Sequence, residues 1–246
     1  MNYGFYHVLL QIGYIESDYM KTIIIGDIHG CDKVLHILLD KVQPGEDDKL
    51  ILLGDLFDRG PESWEVFQTV KTLAANFGQR FVLLRGNHED YLFQPKLSLL
   101  QRFVWERVGR GTTVSSFIAH GEQMEDAAPW LQEHSQMFYR EDGIQCVHAG
   151  LMVDPIEVND TQTMLHDHEI VLRNCYTGPL TVVGHIALEV PTYFAGDKKT
   201  TEKLPYGEWR VLPGKGIICI DTGCGKGGKL TAMIIEGTKY QLESAQ

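Results

Sequence analysis

No stretch of this 246-residue chain approaches the roughly 18 consecutive apolar residues that a membrane span needs. No lysine or arginine precedes Lys21, so the apolar patch Val8-Leu9-Leu10 lacks the positive flank of a secretory leader. There is no Cys-x-x-Cys pair. The five cysteines (Cys31, Cys146, Cys175, Cys219 and Cys224) are odd in number and scattered, which suits a reducing cytoplasm better than a disulfide framework. Positive charge is also scarce: 22 Lys and Arg against 33 Asp and Glu leave a formal net charge of -11. Tracking along nucleic acid and attraction to an anionic membrane both depend on Lys and Arg, so neither partner is expected. A local basic pocket for a small anion is compatible with this balance. Low-complexity tracts and repeats of solenoid period are missing as well.

What is present is an ordinary globular composition, 43% hydrophobic and 22% charged, in a chain long enough to bury a core without staples. From Lys21 onward, short apolar runs alternate with helical spacing. Thr22–Ile25, Leu50–Leu53 and Phe81–Leu84 read as strands. Val34–Leu39 carries helical spacing. Trp64, Phe67, Val70, Ala74 and Phe77 mark one face of a second helix, with Pro61 suited to its first position and Gly78 to its stop. This alternation implies βαβ units and a largely parallel layer. Residues 90–140 read as mainly helical, with a break at Gly109-Arg110-Gly111. Thereafter Ile144–Val147, Thr181–Val183, Arg210–Leu212, Ile217–Ile220 and Leu230–Ile235 read as strands.

Chemistry-bearing residues stand where these runs stop. The first run ends in Gly26-Asp27-Ile28-His29-Gly30, the second in Gly54-Asp55-Leu56-Phe57-Asp58-Arg59-Gly60, and the third in Arg85-Gly86-Asn87-His88-Glu89. Two later runs end in His148-Ala149-Gly150 and Gly184-His185. Ligands of open α/β sheets gather at the carboxyl ends of strands, so five loops are expected to converge. Asp27 and His29 are two apart and point the same way from an extended segment. Together with Asp55, Asn87, His148 and His185 they make a carboxylate, amide and imidazole set without thiolate. That set suits manganese, iron or catalytic zinc rather than a structural zinc cage.

In this order and spacing the blocks resemble the phosphoprotein phosphatase branch of the calcineurin-like metallophosphoesterases, from Gly26 to about Gly237. The resemblance implies an α/β fold of four layers, a β-sandwich flanked by helices. Residues 20–246 would form a single catalytic domain, and residues 1–19 an N-terminal extension to which no function is assigned. It implies two divalent ions, with manganese favoured and iron or zinc as alternatives. Asp27 and His29 would hold the first ion, Asp55 would bridge, and Asn87, His148 and His185 would complete the second. His88 would be the general acid, with Asp58 fixing its tautomer. Arg59 and Arg85 would bind phosphate oxygens. Arg173 is a third such candidate, although Val171-Leu172-Arg173-Asn174 departs from the family's tryptophan-containing pattern. Ile186 stands where threonine is usual, and Asp221-Thr222-Gly223 matches the closing motif beside the metals.

The Arg85–Glu89 ending leans towards phosphoserine and phosphothreonine in proteins as substrates. The alternative is symmetrical hydrolysis of diadenosine tetraphosphate, whose enzymes share nearly all these residues and in some cases carry Asp in place of Glu89. A non-catalytic phosphate-binding relative would have lost a ligand or the acid, and none is lost here. Other segments are read blandly. Gly223–Lys229 nearly fits a phosphate loop, but Leu230 stands where Ser or Thr is required, so a hairpin turn is expected. His166 and His168 are read as part of a solvated loop, and His120 and His134 as packing or capping groups.

Overall fold

The short apolar runs that open the domain are buried on both faces, which requires a layer on each side of their sheet. The computed structural model describes residues 20–246 except Asp142; the expected extension 1–19 lies outside the described residues. β1 (Thr22–Ile25), α1 (Asp32–Val42), β2 (Lys49–Leu52), α2 (Ser63–Phe77) and β3 (Phe81–Leu84) follow in sequence, and the three strands pair in parallel. Four helices come next: α3 (Asn87–Phe93), α4 (Leu99–Arg107), α5 (Arg110–Ala119) and α6 (Ala128–His134). β4 (Ser135–Gln136) then adds in parallel beside β3, and β5 (Phe138–Glu141) and β6 (Ile144–Val147) form an antiparallel pair. After α7 (Thr161–His166) and α8 (Glu169–Leu172) come β7 (Thr181–Val183), β8 (Thr192–Phe194), β9 (Thr201–Lys203), β10 (Arg210–Val211), β11 (Ile217–Cys219), β12 (Leu230–Glu236) and β13 (Lys239–Ala245).

Among the described residues these strands form two sheets. The first has seven strands in the order β10-β13-β12-β1-β2-β3-β4, the second six in the order β5-β6-β7-β11-β8-β9. Side chains alternate across each strand, and the alternation sorts them into three cores. Ile23, Ile25, Leu50, Leu52 and Leu83 pack against Leu35 and Leu38 of α1 and Val66 and Val70 of α2. Ile24, Ile51, Leu53 and Leu84 point the other way, onto Cys146, Val182 and Ile218 of the second sheet. Val147, Val183, Ile217 and Cys219, on the far face of that sheet, meet Met164 of α7 and Val171 of α8. The order is helices, sheet, sheet, helices, which is the expected four-layer α/β arrangement.

The expectation of a largely parallel layer holds only for β1 to β4. β12 and β13 close that sheet antiparallel to β1, and the second sheet is mixed. Of the C-terminal strands, β8–β9 and β12–β13 pair as antiparallel neighbours in sequence, which need no crossover helix, while β10 and β11 lie in different sheets. α1 is longer than its apolar spacing suggested. α2 starts two residues after Pro61, at Ser63, and ends at Gly78, whose φ of 54° favours glycine. The helical reading of residues 90–140 fails beyond His134, where β4 and β5 begin. No helix among the described residues is long and apolar enough to cross a membrane.

Candidate metal centre

The loops that follow β1 and β2 are tied to each other by backbone, as are those that follow β6 and β7. The His29 amide donates to Asp55 O (2.8 Å), and the Gly184 amide donates to His148 O (2.8 Å). The two sheets are joined where the His185 amide donates to Asp27 Oδ2 (2.9 Å) and His148 Nδ1 donates to Leu53 O (2.8 Å). Space is tight at the crossings. A Cβ on Gly86 would stand 2.1 Å from Asp55 Oδ1, and one on Gly184 would stand 2.0 Å from Asp27 Oδ1. His29, Asp55, Asp58, Arg59 and His185 all have φ between 48° and 69°. Such conformations cost non-glycine residues of order 1–3 kcal/mol each and persist where surrounding contacts over-determine them. Five of them in these loops mark a site whose shape is held against local preference.

The convergence expected from the sequence is present for Asp27, His29, Asp55, Asn87, His88, His148 and His185. Asp55 Oδ2 lies 3.5 Å from His29 Nε2 and 3.8 Å from His88 Nε2, while its Oδ1 lies 3.4 Å from His148 Nε2. His29, Asp55 and His88 offer ligand atoms within 4.8 Å of one another, and so do Asp55, His148 and His185, so one carboxylate belongs to both triplets. The Asn87 amide oxygen lies 3.0 Å from His148 Nε2 and 2.9 Å from His185 Nδ1. Asp27 approaches His29 Nε2 at 3.9 Å.

These residues fit divalent cations. His29 Nδ1 donates to Phe57 O (2.8 Å), which leaves Nε2 as a lone pair turned inward, and His148 is fixed the same way by Leu53 O. Burial pushes the pKa of Asp27 well above the carboxylate range, and the neighbouring Asp221 and Asp55 push it further. Burial, with His148 beside it, takes His185 down to about 2, so its imidazole is neutral. Burial opposes ionisation of Asp55, yet His148, His88 and His29 around it hold its carboxyl well below the usual range. Asp27 Oδ1, Asp221 Oδ2 and His185 Nε2 are buried with no protein partner. Three crowded carboxylates, inward lone pairs and orphaned acceptors together describe a cation cradle.

His88 is held differently. Its Nδ1 donates to Asp58 Oδ2 (2.6 Å), and Asp58 also accepts from Trp105 Nε1 (2.7 Å) and Thr113 Oγ1 (2.7 Å). Burial lowers the pKa of His88, but Asp55 and Asp58 outweigh it and the net shift is upward, favouring imidazolium. It falls within a metal triplet by distance, but an imidazolium offers no lone pair at Nε2, which sets it apart from His29 and His148. Glu89 accepts from three backbone amides, those of Asp55 (2.8 Å), Leu56 (2.8 Å) and Gly86 (3.0 Å). It clamps the β2 and β3 loops together.

The three arginines separate. Arg59 enters the centre, with Nη1 2.5 Å from His29 Nε2 and Nη2 3.5 Å from His88 Nε2. Arg85 turns to α3, where its guanidinium lies over Phe93 at 4.5 Å and 3.8 Å from Asp90 Oδ1; its Nε is buried and unpartnered. Arg173 is not brought to the cluster. It follows α8 with its side chain 74% exposed and bonded to Glu169 one helical turn earlier (2.6 Å).

Other readings change too. His168 is exposed in a loop, as read, with its ring 4.4 Å from that of His185, whereas His166 ends α7 half-buried, its ring 6.4 Å from that of His185. His120 and His134 pack as read, stacked on Trp64 and Trp130. Gly223–Lys229 is the expected turn, closed by the Thr222–Lys229 bridge. A Cβ on its Gly225 would stand 2.5 Å from His29 Cβ, so the turn also walls the site. Sequence reasoning missed Trp105 and Thr113, which lie 47 and 55 residues from Asp58 and carry no local signature.

Comparison with known proteins bears on this geometry. The family model described as calcineurin-like phosphoesterase matches residues 20–230. A protein named symmetrical bis(5'-nucleosyl)-tetraphosphatase from Pseudomonas fluorescens is 27% identical over 280 residues, covering 91% of this chain and 95% of the relative. A protein of the same name from Erwinia tasmaniensis is 27% identical over 270 residues, covering 87% and 93%. Among solved structures, a metallophosphoesterase from Sphaerobacter thermophilus superposes with a TM-score of 0.63 at 19% identity, covering 93% of this chain and 89% of that one, a likeness of fold.

Proposed function

Because the chain belongs to the calcineurin-like phosphoesterase family, we propose that it hydrolyses a dinucleoside tetraphosphate symmetrically, giving two nucleoside diphosphates. The observation that carries this choice is the near full-length similarity to relatives bearing that name. The preference for phosphoproteins that the Arg85–Glu89 block suggested loses its support. It leaned on Glu89, whose carboxylate is occupied by three backbone amides and offers nothing to a substrate.

Asp27, His29 and Asp55 would hold one divalent ion, and Asp55, Asn87, His148 and His185 the other. Two such ions supply charge neutralisation for the phosphates and a lowered pKa for the attacking water. The remaining residues act directly on substrate. His88, kept protonated between Asp55 and Asp58, gives its Nε2 proton to the departing oxygen, a step typically worth about 10²–10⁴-fold. Asp58 keeps the ring turned inward, and Trp105 and Thr113 keep Asp58 in place. Arg59 presents its guanidinium fork where phosphate oxygens gain charge. Arg85, at the rim, assists after leaving Asp90. The test compares kcat/KM of a manganese-loaded preparation on diadenosine tetraphosphate and on a phosphoserine peptide, with product analysis. A large preference for the dinucleotide with ADP as sole product is expected; a large preference for the peptide refutes the assignment.

A further inference from the structure

A sixth loop reaches the metal centre, and nothing in the proposed chemistry uses it. β11 runs parallel to β7, so both strands end on the side where His185 stands. β12 runs antiparallel to β1, so its first residues stand beside the last residues of β1, with the Gly26 amide donating to Thr231 O (3.0 Å). The Gly223–Lys229 turn between β11 and β12 therefore spans from one sheet to the other at the end that carries the ligands. Its own bonds fix its shape. The Lys226 and Gly228 amides both donate to Gly223 O (2.8 and 2.9 Å), and Thr222 Oγ1 donates to Lys229 O (2.7 Å). The centre fixes its place, since a Cβ on Gly225 would stand 2.5 Å from His29 Cβ and 3.0 Å from Arg59 Cβ.

Two lysines stand on this turn, in different states. Lys229 is committed, with Nζ over the Tyr206 ring at 4.7 Å. Lys226 is exposed, and the lysine ion pairs among the described residues are those of Lys33, Lys49 and Lys203, not its own. Glu62, which faces Cys31 beside the turn, is already held by Lys33. Arg59 meets the turn at the half-buried Gly225, and Lys226 is the next residue outward, one Cα step of about 3.8 Å away. A guanidinium and an ammonium therefore follow one another from the cation cradle to its rim. In a chain of net charge -11, an unneutralised cation held at the mouth of a phosphoesterase centre draws polyanions to it.

We infer that Lys226 holds a phosphate of the substrate next to the one lodged in the centre, so that the Gly223–Lys229 turn selects a polyphosphate chain over a single phosphate ester. A monoester has one phosphate, which the cradle and Arg59 occupy, and it offers Lys226 nothing. A dinucleoside tetraphosphate has a further phosphate on each side of the one attacked, and the neighbour on the side of Arg59 comes within reach of the lysine. An ammonium on a flexible stem suits this task, because it follows a mobile phosphate chain without demanding one geometry. The assignment rests on the proposed dinucleotide substrate, yet polyphosphate binding is measurable without turnover of that substrate.

The probe is a triphosphonate whose methylene groups replace the bridging oxygens, so that it is not hydrolysed. Its manganese complex is titrated calorimetrically into manganese-loaded protein, with inorganic phosphate as the one-phosphate reference. Lys226→Ala is expected to weaken triphosphonate binding about fivefold, the loss of one exposed cation–phosphate contact. Phosphate affinity should move less than about twofold. Lys226→Arg should recover most of the loss, and Lys226→Glu should lose more than Lys226→Ala. Lys239→Ala removes the same charge at the far end of β12 and β13, where Ile235 pairs with Thr22 at the start of β1, and should change neither affinity. KM for diadenosine tetraphosphate should rise about fivefold in Lys226→Ala with kcat retained. Unchanged triphosphonate affinity in both Lys226→Ala and Lys226→Glu overturns the inference. So does an equal loss for phosphate and triphosphonate, or an equal loss in Lys239→Ala, which would reduce the effect to net charge. If triphosphonate binding weakens as expected while diadenosine tetraphosphate is not cleaved by the wild type, the polyphosphate subsite stands and the proposed function fails.

Discussion

Replacing Asp58 by Asn isolates the support of the proposed acid from the metal ligands. Asn is nearly isosteric and tolerates the φ of 68° at this position, so no cavity or backbone strain is introduced. The carboxylate accepts three short hydrogen bonds, from His88 Nδ1 (2.6 Å), Trp105 Nε1 (2.7 Å) and Thr113 Oγ1 (2.7 Å), at a residue that is 1% exposed. An amide keeps one acceptor oxygen. At least one buried donor then loses its partner, which costs about 1–3 kcal/mol. For a domain of this size each kcal/mol lowers Tm by about 2–4 °C. The larger effect falls on rate, because His88 loses the adjacent negative charge that favours its protonated form. A fall in kcat of about 10²-fold is expected, the lower end of a general-acid contribution, or about 2.7 kcal/mol. The loss should be greater on an alkyl phosphate than on a dinucleoside tetraphosphate. A leaving phosphate has a conjugate acid near pKa 6 and needs less help from a proton than an alkoxide does. Stopped and steady-state assays on both substrates, with metal content by mass spectrometry, read this out. Two ions per chain should remain. An undiminished kcat on both substrates refutes the acid role of His88, and loss of metal shows instead that Asp58 shapes the centre.

Four further outcomes test the site as described. Gly86→Ala places a Cβ 2.1 Å from Asp55 Oδ1 and should reduce both metal stoichiometry and Tm; normal values of both would show that Asp55 has room to move. Glu89→Asp shortens the clamp on the Asp55, Leu56 and Gly86 amides, so thermal stability should fall while the ratio of kcat/KM on dinucleotide to that on phosphopeptide stays within about twofold; a switched ratio would return Glu89 to substrate selection. Arg59→Ala should weaken inhibition by inorganic phosphate by about tenfold or more, whereas Arg173→Ala, at a solvent-facing position paired with Glu169, should leave it unchanged; the reverse ranking would exchange their roles. Chelation should abolish turnover and manganese restore it, and full activity in demetallated protein would remove the two-ion reading altogether.

The sequence by itself determined the chemistry of the centre and the strands that deliver it. Asp27, His29, Asp55, Asn87, His148 and His185 each follow a short apolar run, and such runs between turn residues are legible as strands buried on both faces, whose carboxyl ends gather ligands. The family resemblance carried by the same blocks gave His88 and Asp58 their expected roles. The tertiary structure alone decided what supports them. Trp105 and Thr113 come from α4 and α5, Tyr91 from α3, and their contacts with Asp58 or its neighbours depend on how helices pack, which no spacing in the chain encodes. It also separated look-alikes. Glu89, whose block leaned towards one substrate class, is a backbone clamp; Arg173 read as a phosphate ligand and faces solvent; His166 read as solvated and is half-buried at the end of α7. Residue type and sequence neighbours state what a side chain can bind. Whether it meets that partner is set by long-range packing.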